Sequence, residues 1–302
     1  MKKILTFVLS TSLVLSSLSV SAAPTLTPPS LHAVMQKNDA YNRTLLRKKR
    51  IPNQSGSFEN IDLTWKLIHT GKHVQLSAYD RVNLWVQEVD LAGGAHLQSI
   101  LDLRGYDEST GEPLFAKKKL SEVTDSLRGK PFSIINGQFF DPRREYTPLS
   151  FGLKVDGIVR TAGADNRDES KNILIISATG ARIAPYSWEN LRDAEGYFAM
   201  VNFSMSERHH PEEQIGRTYI CLKNPDRDNR SSTILIFTAL AMSESDLEKE
   251  FPRWGCASSA VAKLDSSGST RLWVDGEYIY GKSHKGDPDY RKIPHYIVVW
   301  DE

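Results

Sequence analysis

The chain has 302 residues, 25% of them charged and 40% hydrophobic, with 38 Lys and Arg against 37 Asp and Glu. That length and mix belong to a cored protein of one large or two small domains and exclude a disordered chain. A formal net charge of +1 gives no global attraction to nucleic acid or to an anionic membrane.

Residues 1–22 read as a signal peptide. Lys2 and Lys3 give a positive start, Ile4 to Val20 is an apolar run softened by Ser and Thr, and Val20-Ser21-Ala22 has the small residues of a cleavage site. The run is short for a membrane span and nothing else in the sequence is apolar enough for one, so the mature chain is expected in the periplasm or outside a bacterial cell. Residues 23–75 read as an N-terminal extension. A Pro-rich start is followed by a modest helical spacing through Leu31, Val34, Met35, Leu45 and Leu46.

From residue 76 to 302 short β-type runs take over. Val82, Leu84 and Val86 alternate as a half-buried strand does. "LSEVTDSLRGK" is a short helix capped by Ser121 and stopped by Gly129, and "PFSIINGQFFD" is a strand entering a turn at Asn136-Gly137. Hairpins are expected about Asp156-Gly157, Thr179-Gly180 and Asp275-Gly276. "GRTYICLKNPDRDNRSSTILIFTAL" reads as two strands joined by a polar loop. Ser243 with Asp246 resembles a capping box, and Pro252 confines the helix it opens to about two turns. "AVAKLD" and the terminal "IPHYIVVW" are apolar strands. The pattern predicts an α+β domain: a mixed, mostly antiparallel sheet with a few packed helices in a single main domain.

Cys221 and Cys256 can close one disulfide or pack as two buried thiols, and sequence leaves both open. Their separation makes a zinc site improbable. "SERHHPEEQ" places His209 and His210 among acids, but neighbouring side chains on an extended loop diverge, which favours a solvated loop over a metal site. His295 is either a proton carrier near a pocket or, by default, a packed side chain.

Three stretches carry possible chemistry. In "KLDSSGSTRLWVDG" an apolar run ends on Asp265, and Ser266, Ser267, Gly268, Ser269 and Thr270 follow. A Ser/Gly turn at a strand end can present amides and hydroxyls to an oxyanion, beside a carboxylate able to activate water, attack a sugar carbon or hold a metal. The same residues also suit an ordinary Asx or Ser turn. In "INGQFFD", Asn136 can orient a hydroxyl or phosphate oxygen, Phe139 and Phe140 can wall a site, and Asp141 suits a turn before Pro142. Arg217, opening "RTYICL", can hold a phosphate through two parallel hydrogen bonds or pair with a surface acid.

In this order the stretches resemble the phosphodiester glycosidase family, to which the lysosomal uncovering enzyme belongs, over roughly residues 80 to 299. Asn136, Gly137, Phe139 and Phe140 match an N-G-G-F-F-type motif, with Gln138 in place of a Gly. Arg217, Thr218 and Ile220 match R-T-A-I-G, while Tyr219 and Cys221 depart from it. Leu264, Asp265, Gly268, Ser269 and Thr270 match L-D-G-G-G-S-T, with Ser266 and Ser267 where glycines are usual. Arg291, Ile293, Pro294 and Ile297 match the closing R-x-x-P-x-x-I segment.

The resemblance implies an exported hydrolase that cleaves a sugar-1-phosphodiester bond in an envelope or extracellular glycan. Asp265, Asn136 and Arg217 would be catalytic, and Gly137, Thr218, Gly268, Ser269 and Thr270 would bind the phosphorylated substrate. Its partner would be a phosphorylated sugar or polysaccharide, with no nucleic acid, cofactor or metal. Gln138, Ser266 and Ser267 also admit a module that binds phosphorylated glycans without cleaving them, because a Ser does not freely take a glycine's backbone.

Overall fold

The computed structural model describes residues 65–79, 83–165, 170–208, 210–279 and 290–301. The expected signal peptide and all of the extension before Trp65 lie outside them, as does His209. Alternating apolar positions in short runs produce strands, numbered β1 to β20 in chain order, and every pairing between them is antiparallel among the described residues. The first sheet runs in the order β1 (Trp65–Thr70), β2 (Val74–Tyr79), β3 (Leu84–Asp90), β16 (Thr233–Met242), β14 (Ile215–Lys223) and β17 (Cys256–Lys263). The sheet therefore already includes residues within the stretch read as extension.

The second sheet runs β10 (Ile158–Thr161), β9 (Leu153–Val155), β13 (Phe198–Phe203), β11 (Lys171–Ser177), β12 (Gly180–Pro185) and β15 (Arg230–Ser231). The third runs β19 (Glu277–Ile279), β18 (Leu272–Val274), β7 (Ser133–Asn136), β20 (His295–Trp300) and β4 (His96–Leu101). A small fourth sheet joins β5 (Leu103–Tyr106), β6 (Pro113–Ala116) and β8 (Tyr146–Thr147). The inner faces of the three large sheets share one core, with Leu76, Ile220 and Ala262 from the first, Leu174 and Met200 from the second, and Ile135, Leu272 and Ile297 from the third.

The outer faces are covered by short helices. Leu120 and Val123 of α1 (Leu120–Ser126) pack on the third sheet, and Leu191 of α2 (Trp188–Arg192) packs on the second. Leu247 of α3 (Glu244–Glu248) and the 3-10 turn Phe251–Trp254 pack on the first. These helices have seven, five and five residues, so the expected α+β class with a mixed sheet is corrected to a β-rich fold. The helical signals are genuine, but each is stopped within two turns: α1 by an extended backbone at Leu127, α3 by the turn that carries Pro252.

The hairpins at Asp156-Gly157 and Asp275-Gly276 have the expected positive φ at both turn residues, 54° and 74°, then 47° and 92°. Ser243 caps α3 by accepting from the Asp246 amide at 3.0 Å. Three local expectations are corrected. The cap of α1 is Lys119, whose N–H donates to the Glu122 carboxylate at 2.7 Å, not Ser121. The tip of the β11–β12 hairpin is Ala178-Thr179, since Ser177 pairs with Gly180. Asn136-Gly137 forms no turn. The chain runs on, the Gly137 N–H donating to His295 O and Gly137 O accepting from the Asp265 N–H, both at 3.0 Å. Of the two cysteine alternatives the structure has the disulfide: Cys221 on β14 is joined to Cys256 at the start of β17, with Cα atoms 6.0 Å apart.

Candidate active site

Three chain segments meet where β7, β14 and β17 end, and Asn136 stitches them together. It is wholly buried. Its Nδ2 donates to Asp265 O at 2.7 Å, and its Oδ1 accepts from Thr218 Oγ1 at 2.7 Å and Arg271 N at 3.1 Å. Gly137 is required by close approach, because a Cβ there would lie 2.3 Å from His295 Nδ1. His295 Nδ1 accepts from the Gln138 N–H, so its Nε2 carries the proton and donates to Ser99 Oγ at 3.1 Å. Burial pushes this imidazole down to about 3, and it is the packed side chain of the two readings.

Beside this junction lies a cavity of about 290 Å³. One wall is apolar: Phe139, Phe140, Pro142 and Phe203, with Phe139 packed edge-on against Phe151 and Phe203. The rest of the lining carries the charge. At its buried floor, Glu244 lies between Lys263, which donates to it, and Arg217, whose Nη1 is 3.9 Å from Glu244 Oε2. Lys263 also donates to Glu207 O, and burial lowers its ammonium below the usual lysine range against the pull of Glu244. The Arg217 guanidinium donates to Met242 O (3.0 Å), His210 O (2.6 Å) and Glu213 O (3.3 Å). Arg217 thus lines the cavity while its fork ties His210 and Glu213 to the end of β16.

Asp265 sits at the lip, partly buried, at the entrance to the 3-10 turn Ser267–Ser269. Its carboxylate accepts from Ser266 N at 2.8 Å and from the Ser269 side chain. Removal from water outweighs these bonds and the nearby Arg291 and Arg271, raising the carboxyl to about 6. Arg291, half-buried, lines the same cavity and donates to Ser269 Oγ at 3.3 Å. Gly268 gives it room, since a Cβ there would lie 3.1 Å from the Arg291 Cζ.

The turn is not a free row of amides. Ser269 N donates to Ser266 O and Thr270 N to Ser267 O, as a 3-10 turn requires. Ser267 holds φ 60°, the left-handed backbone that glycine adopts more readily.

The sequence-derived residues therefore divide. Asp265 and Arg217 line one cavity, with Asn136 directly behind Asp265. Gly137, Thr218, Gly268, Ser269 and Thr270 are buried around it and shape it from behind. Thr218 follows Arg217 in β14, and successive strand residues face opposite ways, so the two do not share the cavity. Asp141 is no partner for Asp265. It takes two hydrogen bonds from the Arg143 guanidinium, at 2.9 and 3.0 Å, which hold it down to about 2, and it lines a separate depression.

Sequence reading did not single out Arg291, Lys263 or Glu244 as site residues. The signal for Lys263 was present: a lysine inside a buried strand must find a counter-charge. Among the described residues no group of three or more His, Cys, Asp or Glu is placed to share a metal ion, and no helix is long and apolar enough to cross a membrane.

The structural class is a β-rich fold of antiparallel sheets with one cavity lined by two carboxylates, Asp265 and Glu244, and by the cations Arg217, Lys263 and Arg291. No protein-family model matches the chain, and no curated protein matches it in sequence. Among solved structures the chain is similar to the catalytic domain of zebrafish N-acetylglucosamine-1-phosphodiester alpha-N-acetylglucosaminidase, auto-inhibited by its pro-peptide. The TM-score is 0.51 and the identity 11%, over 83% of this chain and 87% of that one. It is also similar to a hypothetical protein from Synechocystis, with a TM-score of 0.47 and 9% identity. That match covers 81% of this chain and 64% of that one, less than two thirds of its length. At such identities the likeness is one of fold, and the relationship is distant.

Proposed function

We propose that the chain is an exported hydrolase that cleaves the bond between a sugar's anomeric carbon and a phosphodiester in an envelope or extracellular glycan. The observation that carries this reading is that Asp265 and Arg291 line one cavity together with Phe139 and Phe140, with Arg291 near enough to act on the Asp265 carboxyl. A phosphate ester leaves as a stable anion, so the site needs a fixed cation more than it needs a strong acid. Arg291 supplies that cation, and Phe139 and Phe140 offer a surface for the apolar face of a sugar ring. A carboxyl raised to about 6 is ionised at neutral pH yet keeps more affinity for a proton or an electrophilic carbon than an ordinary aspartate.

The fold shared with the zebrafish catalytic domain supports the hydrolase reading. The Cys221–Cys256 disulfide supports an oxidising compartment, as the signal-peptide pattern does. Asn136 serves by fixing the Asp265 backbone, and Arg217 by fixing the cavity floor.

The test is hydrolysis of a panel of sugar-1-phosphate diesters by the parent chain and by Asp265→Asn. The variant is expected to lose on the order of 10³-fold or more in kcat while its circular dichroism stays that of the parent. Parent-like turnover by the variant would remove Asp265 from the chemistry. A second reading, a module that binds phosphorylated glycans without cleaving them, is favoured by Ser267, which places a side chain where a glycine's backbone is used. Calorimetric binding of a sugar phosphate without product after long incubation would select it.

A further inference from the structure

Hydrolysis at an anomeric carbon needs a group that takes a proton from water, and the cavity holds few candidates once Asp265 acts on the carbon itself. Glu244 is committed to Lys263 and Arg217. Tyr219 is pushed well above its ordinary value by burial and by Glu244, so it stays a phenol. Lys263 has its ammonium tied to Glu207 O and to Glu244, and the arginines remain charged. Among the described residues, the remaining titratable side chain that lines the cavity is His210.

It meets the cavity from the solvent side, its side chain 68% exposed and that of Glu213 59% exposed, so bulk water reaches the imidazole directly. His210 Nδ1 lies 2.8 Å from Glu213 Oε1, an arrangement that puts the proton on Nδ1 and leaves the Nε2 lone pair as acceptor. The residue is held from two sides: Glu213 N donates to His210 O at 3.1 Å, closing a turn, and Arg217 Nη2 donates to the same oxygen at 2.6 Å. Its backbone, at φ 52°, is fixed in the left-handed region by that turn. The charged groups around it are Glu213, the Arg217–Glu244–Lys263 floor, and Asp265 and Arg291 at the lip. Nearby Glu212 accepts from Ser245, and Arg208 pairs with Glu248.

Building on the reading of Asp265 above, we infer that His210, oriented by Glu213, is the base that activates water against a glycosyl ester of Asp265. In the first step an Asp265 oxygen bonds to the anomeric carbon, and the carbon–oxygen bond to phosphate breaks with its electron pair on the departing phosphomonoester. In the second, water bonds to that carbon as His210 Nε2 takes the water proton. The ester bond breaks with its pair returning to the Asp265 carboxylate. Glu213 offsets the imidazolium charge until the proton passes to solvent.

The test uses the full chain, the same panel of sugar-1-phosphate diesters, and two variants. His210→Asn keeps a residue that tolerates positive φ, and Glu213→Gln keeps a side-chain acceptor without the charge. His210→Asn is expected to lose about 10²-fold in steady-state kcat. It should still release a burst of about one equivalent of phosphomonoester per chain, because only the second step is slowed. Azide, which needs no base, should restore turnover and yield a glycosyl azide. Glu213→Gln should lose about 10-fold by the same route.

A parent chain that hydrolyses the panel while His210→Asn matches its rate overturns this inference alone. So does a slow His210→Asn variant with neither burst nor azide rescue. A parent chain that turns over no member of the panel overturns the hydrolase reading, and this inference with it.

Discussion

Arg217, Glu244 and Lys263 at the floor of the cavity, and Asp265 and Arg291 at its lip, are both clusters of opposite charge, yet they are held differently. The floor is buried, and its cations are matched to a carboxylate and to the carbonyls of Met242, His210, Glu213 and Glu207. The lip is partly open. There, among the described residues, Arg291 makes one side-chain hydrogen bond, at 3.3 Å, and Asp265 is raised toward neutral rather than held down by a partner. A buried ion whose donors are spent on backbone oxygens contributes to specifying the fold, and its removal leaves an uncompensated charge. An ion at a cavity edge with one long bond has capacity left for a ligand.

That contrast can be broken most directly at Arg217. Arg217→Met is expected to cost about 3–5 kcal/mol, read by urea unfolding, because Glu244 loses a counter-charge and three carbonyls lose a donor. If the variant instead kept parental stability and only weakened substrate binding, the floor would belong with the ligand site.

Next in size is the pH dependence of stability at Asp265. The carboxyl binds its proton more tightly folded than unfolded, so its contribution is complete below about pH 4 and is lost as pH rises through about 6. Asp265→Asn removes that loss. It should be more stable than the parent at pH 7.5 by up to about 3 kcal/mol, with the gap closing by pH 4. A variant less stable than the parent at pH 7.5 would mean the carboxylate is held by the turn rather than strained by it.

The smallest expected effect sharpens the lip. Arg291→Gln should raise KM for a sugar-1-phosphodiester about 10-fold with little change in melting temperature, since among the described residues the half-buried guanidinium makes one side-chain hydrogen bond, to Ser269. An unchanged KM would move the anion site elsewhere in the cavity.

Two of the three hairpin tips and the cap of α3 were legible because they depend on two to four consecutive residues. Asp156-Gly157 and Asp275-Gly276 need positive φ, and Ser243 needs only the amide three residues on. The Asn136-Gly137 reading failed for the opposite reason. The dipeptide favours a tight turn, but the His295 carbonyl and the Asp265 amide take the Gly137 backbone groups and draw the chain straight. The resemblance makes Arg217 catalytic and Thr218 substrate-binding, and the two-residue period of the strand turns them to opposite faces, so that Arg217 lines the cavity and Thr218 bonds to Asn136 behind it. Arg291 and Lys263 were hidden because their meaning comes from neighbours far along the chain, Ser269 for one and Glu244 for the other.

The amino-acid sequence by itself determined the β-type runs, most of their turns and the placing of a carboxylate at a strand end, since these follow from local sterics and alternation. Tertiary structure decided which polar groups meet. It spent Asn136 on three backbone and hydroxyl partners, sank Arg217 into carbonyls, and brought Asp265 and Arg291 to the edge of one cavity. Burial and long-range hydrogen bonding set the cost of every charge, and neither is fixed until the sheets pack.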